Sequence, residues 1–154
     1  MLYFAFGSNL NRKQMKKRCK DSKYIGCYKL KGYKLVFRHM YYGGGVADLD
    51  RKKNSTALGA IYKISKKDEK KLDEYEDFPR IYIKKYFKLS GRKVMFYYMP
   101  KKTKHIPPNK RYLNLIIKGY KDCGYRNNYI IISKNKKVRV GWKFLIASCI
   151  LMKM

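Results

Sequence analysis

The 154-residue sequence predicts a single domain that mixes β-strands with a few helices, and three features carry that expectation. Its length suits one hydrophobic core and leaves no room for a second domain. Short runs of aromatic and β-branched residues, closed by glycine or polar clusters, recur as strands do. Between them lie three segments with a polar cap and apolar residues at helical spacing.

The order of elements follows from these signals. Leu2-Tyr3-Phe4-Ala5-Phe6 is an apolar run that breaks into Gly7-Ser8-Asn9-Leu10 and then a basic, helix-compatible segment: a strand feeding a tight turn feeding a helix. Gly7 lets the backbone turn where a side chain would obstruct it. The N–H groups of Ser8, Asn9 and Leu10 then converge near a helix start, a nest suited to a carboxylate or a phosphate. The same residues also suit a plain strand-turn-helix with Asn9 or Asn11 as N-cap. Asn11 to Cys19 reads as a short basic helix with Met15 and Cys19 one turn apart.

Tyr24 to Leu30 and Tyr33 to Phe37 are strand-like, broken at Gly32 by a turn or bulge. Gly43-Gly44-Gly45 marks a sharp bend or a close approach, or simply a flexible loop. Val46 to Leu49 and Thr56 to Ile64 read as two strands joined by a polar turn from Asp50 to Ser55. Ser65 opens a helix, with Asp68 at capping-box spacing, that runs to about Tyr75 and closes at Phe78-Pro79. Ile81 to Leu89, Ser90-Gly91 and Lys93 to Met99 form a hairpin. Asn109 caps a helix whose buried stripe is Leu113, Ile116, Ile117 and Tyr120, with Gly124 as its stop. Tyr125 to Ser133 is ambiguous between strand and helix. The apolar stretch Phe144 to Met152 is too short to span a bilayer and is expected to pack on the core, with a membrane-surface contact as the other option.

Composition narrows the function classes. Thirty-nine Lys and Arg against 10 Asp and Glu give a net charge of +29, which attracts anions from nucleic acid to an acidic membrane or a small dicarboxylate. A proteome-wide lysine, isoleucine and tyrosine bias gives the same numbers. A basic nucleic-acid-binding domain without catalysis is the rival reading, although it shows no obvious RNP pattern, C2H2 arrangement or defined nucleic-acid-reading helix and leaves the acidic cluster unaccounted for. Cys19, Cys27, Cys123 and Cys149 sit at unrelated spacings, signalling neither a zinc site nor a disulfide framework. His39 and His105 stand far apart and read as surface or core residues. Reduced thiols and the lack of a secretory signal point to a cytoplasmic setting.

Acid is scarce, so its placement is informative. Six of the ten carboxylates (Asp68, Glu69, Asp73, Glu74, Glu76, Asp77) fall in one ten-residue window. Leu72 and Glu76, four apart on the predicted helix, share a face, so Glu76 points inward while Glu74, near Lys70 and Lys71, reads as a surface ion-pair partner. A carboxylate aimed into an apolar cavity has its charged form disfavoured and suits proton transfer near neutrality. An inward Glu76 capping a strand or pairing with a lysine satisfies the pattern equally well.

Taken together, these segments resemble the γ-glutamylcyclotransferase family. Its members carry a strand ending in Tyr-Gly-Ser-Asn-Leu, a glycine-containing strand and a helix ending in Leu-Asp-x-x-Glu-Gly. Here the matching residues are Leu2 to Leu10, Gly44-Gly45-Val46-Ala47, Gly59 to Ile64, and Leu72-Asp73-Glu74-Tyr75-Glu76. Tyr82 resembles the tyrosine after the family glutamate. Pro107-Pro108 to Gly119 resembles the later segment that carries the family's substrate-side tyrosine, here Tyr112.

The resemblance runs from Leu2 to about Tyr125. It implies an α+β domain over residues 1–133 built on a closed, mixed β-barrel with flanking helices, followed by the apolar tail 134–154. It also implies cyclisation of a γ-glutamyl substrate to 5-oxoproline without metal or cofactor. Glu76 would be the general acid/base, with Tyr3, Gly7, Ser8, Asn9, Leu10, Tyr82 and Tyr112 around the substrate. Two positions depart from the family: Phe6 replaces a tyrosine, and Asp77 replaces the glycine after the glutamate.

Overall fold

The chain is described from a computed structural model over residues 1–40, 43–125, 131–132 and 138–139. β1 (Leu2–Ala5) is buried along nearly its whole length. An apolar strand without a polar face belongs inside a sheet rather than at its edge, and β1 is the central strand of five. The remaining strands are β2 (Lys23–Arg38), β3 (Val46–Lys63), β4 (Ile83–Leu89) and β5 (Arg92–Tyr98), in the order β2-β3-β1-β5-β4. β1 runs antiparallel to β3 and parallel to β5, which makes the sheet mixed.

β2 and β3 form one long hairpin where the sequence suggested shorter strands. The break expected at Gly32 is a bulge, with Gly32 at φ 78° and a register shift between Lys31 and Tyr33. The polar stretch read as a turn, Asp50 to Ser55, continues β3 instead, with Arg51 to Asn54 exposed. Polarity misled there, because an antiparallel strand with a solvated face carries charge without turning. The β4–β5 hairpin turns at Ser90-Gly91 as expected.

The closed barrel is a correction. The sheet curls until its two edges meet, but they meet through side chains. Tyr28 of β2 stacks on Phe87 of β4 with ring centroids 5.4 Å apart, and Phe4 of β1 packs edge-on to both rings. Ring contact fills the seam, and no ladder joins β2 to β4, so the α+β domain has an open five-stranded sheet.

Each helix begins on a side-chain cap that the sequence displays. α1 (Arg12–Arg18) starts at Asn11, whose Oδ1 accepts from the Gln14 N–H at 2.9 Å, which settles the choice between Asn9 and Asn11. α2 (Lys66–Tyr75) starts at Ser65, whose Oγ accepts from the Asp68 N–H at 3.0 Å. α3 (Lys110–Asp122) starts at Asn109, whose Oδ1 accepts from the Tyr112 N–H at 2.8 Å. Leu113, Ile116 and Tyr120 of α3 are buried. Gly119 lies so close to the turn after β1 that an added Cβ would stand 2.7 Å from the Asn11 nitrogen, so α3 can seat there only with glycine.

β6 (Ile131–Ile132) and β7 (Val138–Arg139) pair antiparallel as a separate ribbon. Apart from these pairs, the stretch beyond Tyr125 read as ambiguous and the tail expected to pack on the core lie outside the described residues. Among the described residues, no helix is long and apolar enough to cross a membrane.

Candidate functional site

The end of β1 and the end of α2 meet over one cavity. After β1 the chain passes Phe6 and Gly7 into a single 3-10 turn, Ser8–Leu10. Within it the Leu10 N–H donates to the Gly7 carbonyl at 3.0 Å and the Asn11 N–H to the Ser8 carbonyl at 3.2 Å. A turn of this kind leaves its first N–H groups without partners inside the turn, and those are Ser8 and Asn9. The expected nest of three donors is therefore a pair. The Leu10 N–H is engaged and its side chain is fully buried in the core, away from the cavity lining. Gly7 sits tightly, since a Cβ there would lie 3.1 Å from both the Ala47 Cβ and the Tyr112 hydroxyl.

Glu76 is the C-cap of α2, its N–H donating to the Leu72 carbonyl at 2.8 Å. Leu72 is wholly buried, and the shared face carries the Glu76 carboxylate inward as its spacing predicts. Glu74 is exposed and, among the described residues, forms no ion pair, contrary to expectation. Asp77 takes φ 53°, which gives a local reason for glycine at this position in the family, and its carboxylate pairs with Arg80.

The cavity is about 190 Å³ and is lined by Tyr3, Gly7, Ser8, Asn9, Glu76, Tyr82 and Tyr112, with Phe6, Met40, Val46, Ala47, Tyr75 and Asp77 completing the wall. Phe6 thus faces the cavity without the hydroxyl that a tyrosine would bring. A wider groove at the other end of β1, lined by Met1, Ile25 and Leu89, contains none of these candidates.

Inside the cavity Asn9 is the hub. Its Nδ2 donates to Glu76 Oε1 at 3.0 Å and to the Tyr3 hydroxyl at 3.1 Å. Its Oδ1 accepts from Arg18 Nη1 at 2.5 Å, and Arg18 also donates to Ser8 Oγ at 3.0 Å and to the Tyr75 hydroxyl at 2.8 Å while stacking on the Tyr75 ring. A guanidinium only donates, so it turns the Asn9 oxygen toward itself and the amide NH2 toward Glu76. Sequence reasoning missed Arg18, because nothing in Lys16-Lys17-Arg18 distinguishes one cation from the next.

Tyr82 and Tyr112 grip one residue, Ala47, by its N–H and its carbonyl. The Tyr82 hydroxyl donates to the Ala47 carbonyl at 2.8 Å, and the Tyr112 hydroxyl accepts from the Ala47 N–H at 3.2 Å. Tyr82 has therefore spent its proton on the wall, whereas Tyr112 keeps its proton to donate.

Burial pushes the Glu76 carboxyl up to about 7, against the downward pull of the Arg18 guanidinium and the Asn9 amide. Burial and then the Glu76 charge push Tyr3 and Tyr82 well above the ordinary phenol range, and Tyr112 is raised mainly by burial. All three hydroxyls stay protonated.

This α+β domain presents a small, partly open pocket into which a carboxylate raised toward neutrality points, an architecture suited to moving a proton on a small molecule. The family model described as gamma-glutamyl cyclotransferase, AIG2-like, matches residues 3–114, and the chain belongs to that family. It is 25% identical over 139 residues to a gamma-glutamylcyclotransferase of Mus musculus, covering 83% of this chain and 74% of the mouse protein. A solved gamma-glutamyl cyclotransferase structure superposes with a TM-score of 0.71 at 24% identity, covering 84% of this chain and 83% of the other. YkqA from Bacillus subtilis superposes at 0.65 and 24% identity, with 79% of this chain on 48% of that one. The structural likenesses carry the fold, and family membership supports an enzyme at the level of the family.

Proposed function

We propose that this protein cyclises a γ-glutamyl compound, releasing 5-oxoproline and an amine or amino acid, with Glu76 as the single general acid/base. The observation that carries this reading is the Glu76 carboxylate, raised to about 7, in the same small cavity as the Ser8 and Asn9 backbone donors.

The chemistry needs two proton transfers and one orientation. The substrate α-ammonium must lose a proton before its nitrogen attacks the γ-carbonyl, and the leaving nitrogen must gain one. A carboxylate near 7 takes the first proton and returns it to the second nitrogen, so one residue performs both transfers. The Ser8 and Asn9 N–H groups suit the oxyanion that develops on the γ-carbonyl oxygen, with the Tyr112 hydroxyl as a third donor. Tyr3, Phe6 and Tyr82 wall the cavity and hold the chain folded into its ring-closing shape. A cavity of about 190 Å³ is below the size that encloses drug-sized ligands. It suits a γ-glutamyl group, with the leaving part projecting outward.

Glu76→Gln keeps the shape and the Asn9 contact but removes the proton carrier. Release of 5-oxoproline from γ-glutamyl-alanine, glutathione and γ-glutamyl-ε-lysine should be measured for both proteins. The variant should fall by about 10²- to 10⁴-fold on whichever substrate the wild type accepts, and turnover within threefold of wild type would remove Glu76 from the role.

A further inference from the structure

Two cysteines that the sequence leaves unrelated are neighbours in the fold. Cys27 lies exposed on β2, and Cys123, 96 residues later, is the half-buried C-cap of α3. The Tyr24 hydroxyl stands 2.9 Å from Cys27 Sγ and 3.8 Å from Cys123 Sγ. The Cys27 thiol also donates to the backbone carbonyl of Cys123 itself at 3.3 Å. The two sulfurs therefore share one phenol oxygen, and the Cys27 thiol already touches the backbone of its proposed partner. Cys19, by contrast, is the fully buried C-cap of α1.

We propose that Cys27 and Cys123 form a reversible intramolecular disulfide by exchange with a small-molecule disulfide. Cys27 is the residue a reagent can reach, so its thiolate attacks first: one S–S bond of the reagent breaks, a mixed disulfide forms on Cys27, and one small thiolate leaves and takes up a proton. Cys123 then loses its proton, attacks Cys27 Sγ and expels the second small thiol. Two protein thiols are oxidised and one small disulfide is reduced to two thiols.

The surroundings favour this order. Burial first, then a hydrogen bond that the neutral Cys123 thiol gives to Cys27, push the Cys123 thiol up to about 12, while the Tyr24 hydroxyl, as a donor to the thiolate, pulls it down. Capping Cys27 removes its thiol proton and leaves Tyr24 to donate to the Cys123 thiolate as it forms. The closed bond would pin the outer strand β2 to the far end of the helix that carries Tyr112. It would also enclose most of the sheet in one covalent loop, which restricts the unfolded chain strongly.

Full-length protein incubated with 2-hydroxyethyl disulfide, then alkylated, tests this by mass and by melting. The expected product is about 2 Da lighter than the reduced chain before alkylation, yields a peptide joining Cys27 to Cys123, and melts at least about 4 °C higher until dithiothreitol reverses it. Cys27→Ser, a change at an exposed site, should fold normally and lose both effects. No reaction, a lasting mercaptoethanol adduct on Cys27, or a bond from Cys27 to Cys149 or to another chain would each overturn the pairing.

Discussion

Two inward-facing carboxylates, Asp48 and Glu76, have opposite surroundings. Asp48 on β3 is wholly buried and accepts from Arg38 Nε at 3.0 Å, Lys102 Nζ at 2.6 Å and the Met99 N–H at 3.0 Å. Arg38 and Lys102 extend this network to Asp50, where burial alone would raise the acid but the Arg38 contacts and Lys102 hold it below its ordinary range. The network clamps the loop after β5 onto β2 and β3. Glu76 is met by a neutral amide, and its nearest cation, Arg18, is one residue removed behind Asn9. The difference teaches that burial alone does not make a catalytic acid. Burial with cations in contact ties a carboxylate into ion pairs that brace the fold, whereas burial behind a single amide raises the Glu76 carboxyl toward neutrality.

Three experiments press on that contrast, from the largest effect to the smallest. Asp48→Ala takes from buried Arg38 one of its two carboxylate partners and from Lys102 its closest one, and should lower unfolding free energy by about 3–5 kcal/mol. Denaturant titration measures it, and a loss below about 1 kcal/mol would show that the network does not brace the sheet. Glu76→Gln should act oppositely on stability. Because the folded Glu76 value of about 7 lies above the unfolded 4.5, wild-type stability from this group is full below 4.5 and is lost as pH rises through 7. After discounting for its partial exposure, the variant should gain about 2 kcal/mol over wild type at pH 8 and nothing at pH 4. Melting curves of the two proteins across that range give the difference, and a pH-independent gap would mean the carboxyl is not perturbed.

The third experiment removes the cation behind the amide. Arg18→Met frees Asn9 to flip and withdraws the positive field from Glu76. The acid limb of the pH–rate profile should move up by roughly 1 unit, and turnover should drop about tenfold. Arg18→Lys, which restores charge without the fork, should recover the pH midpoint more fully than the rate. If the midpoint stays in place in Arg18→Met, Arg18 only packs against Tyr75.

Much of this was legible locally. Asn11, Ser65 and Asn109 announce their helices, because capping depends on residues within one turn of each other. The Leu72 to Glu76 spacing aims the acid inward for a similarly local reason. What misled was equally local: the polar run from Asp50 to Ser55 looks like a turn and is strand, since its partner β2 lies more than a dozen residues away in the chain. Leu10 has the right neighbours for a donor, yet its own turn consumes its N–H. The closed barrel failed because edge closure depends on how far β2 and β4 curl, and aromatic rings fill that seam.

The amino-acid order by itself determined the helices with their caps, the strands β1, β4 and β5, the inward acid and the family motifs, all of them set by interactions a few residues long. Only the folded chain decided that Arg18 orients Asn9, that Tyr82 and Tyr112 hold Ala47 between them, that Asp48 meets two cations while Glu76 meets an amide, and that Cys27 meets Cys123. Each of those depends on side chains that the fold brings together, from 9 residues apart for Arg18 and Asn9 to 96 for Cys27 and Cys123, and no spacing along the chain encodes them.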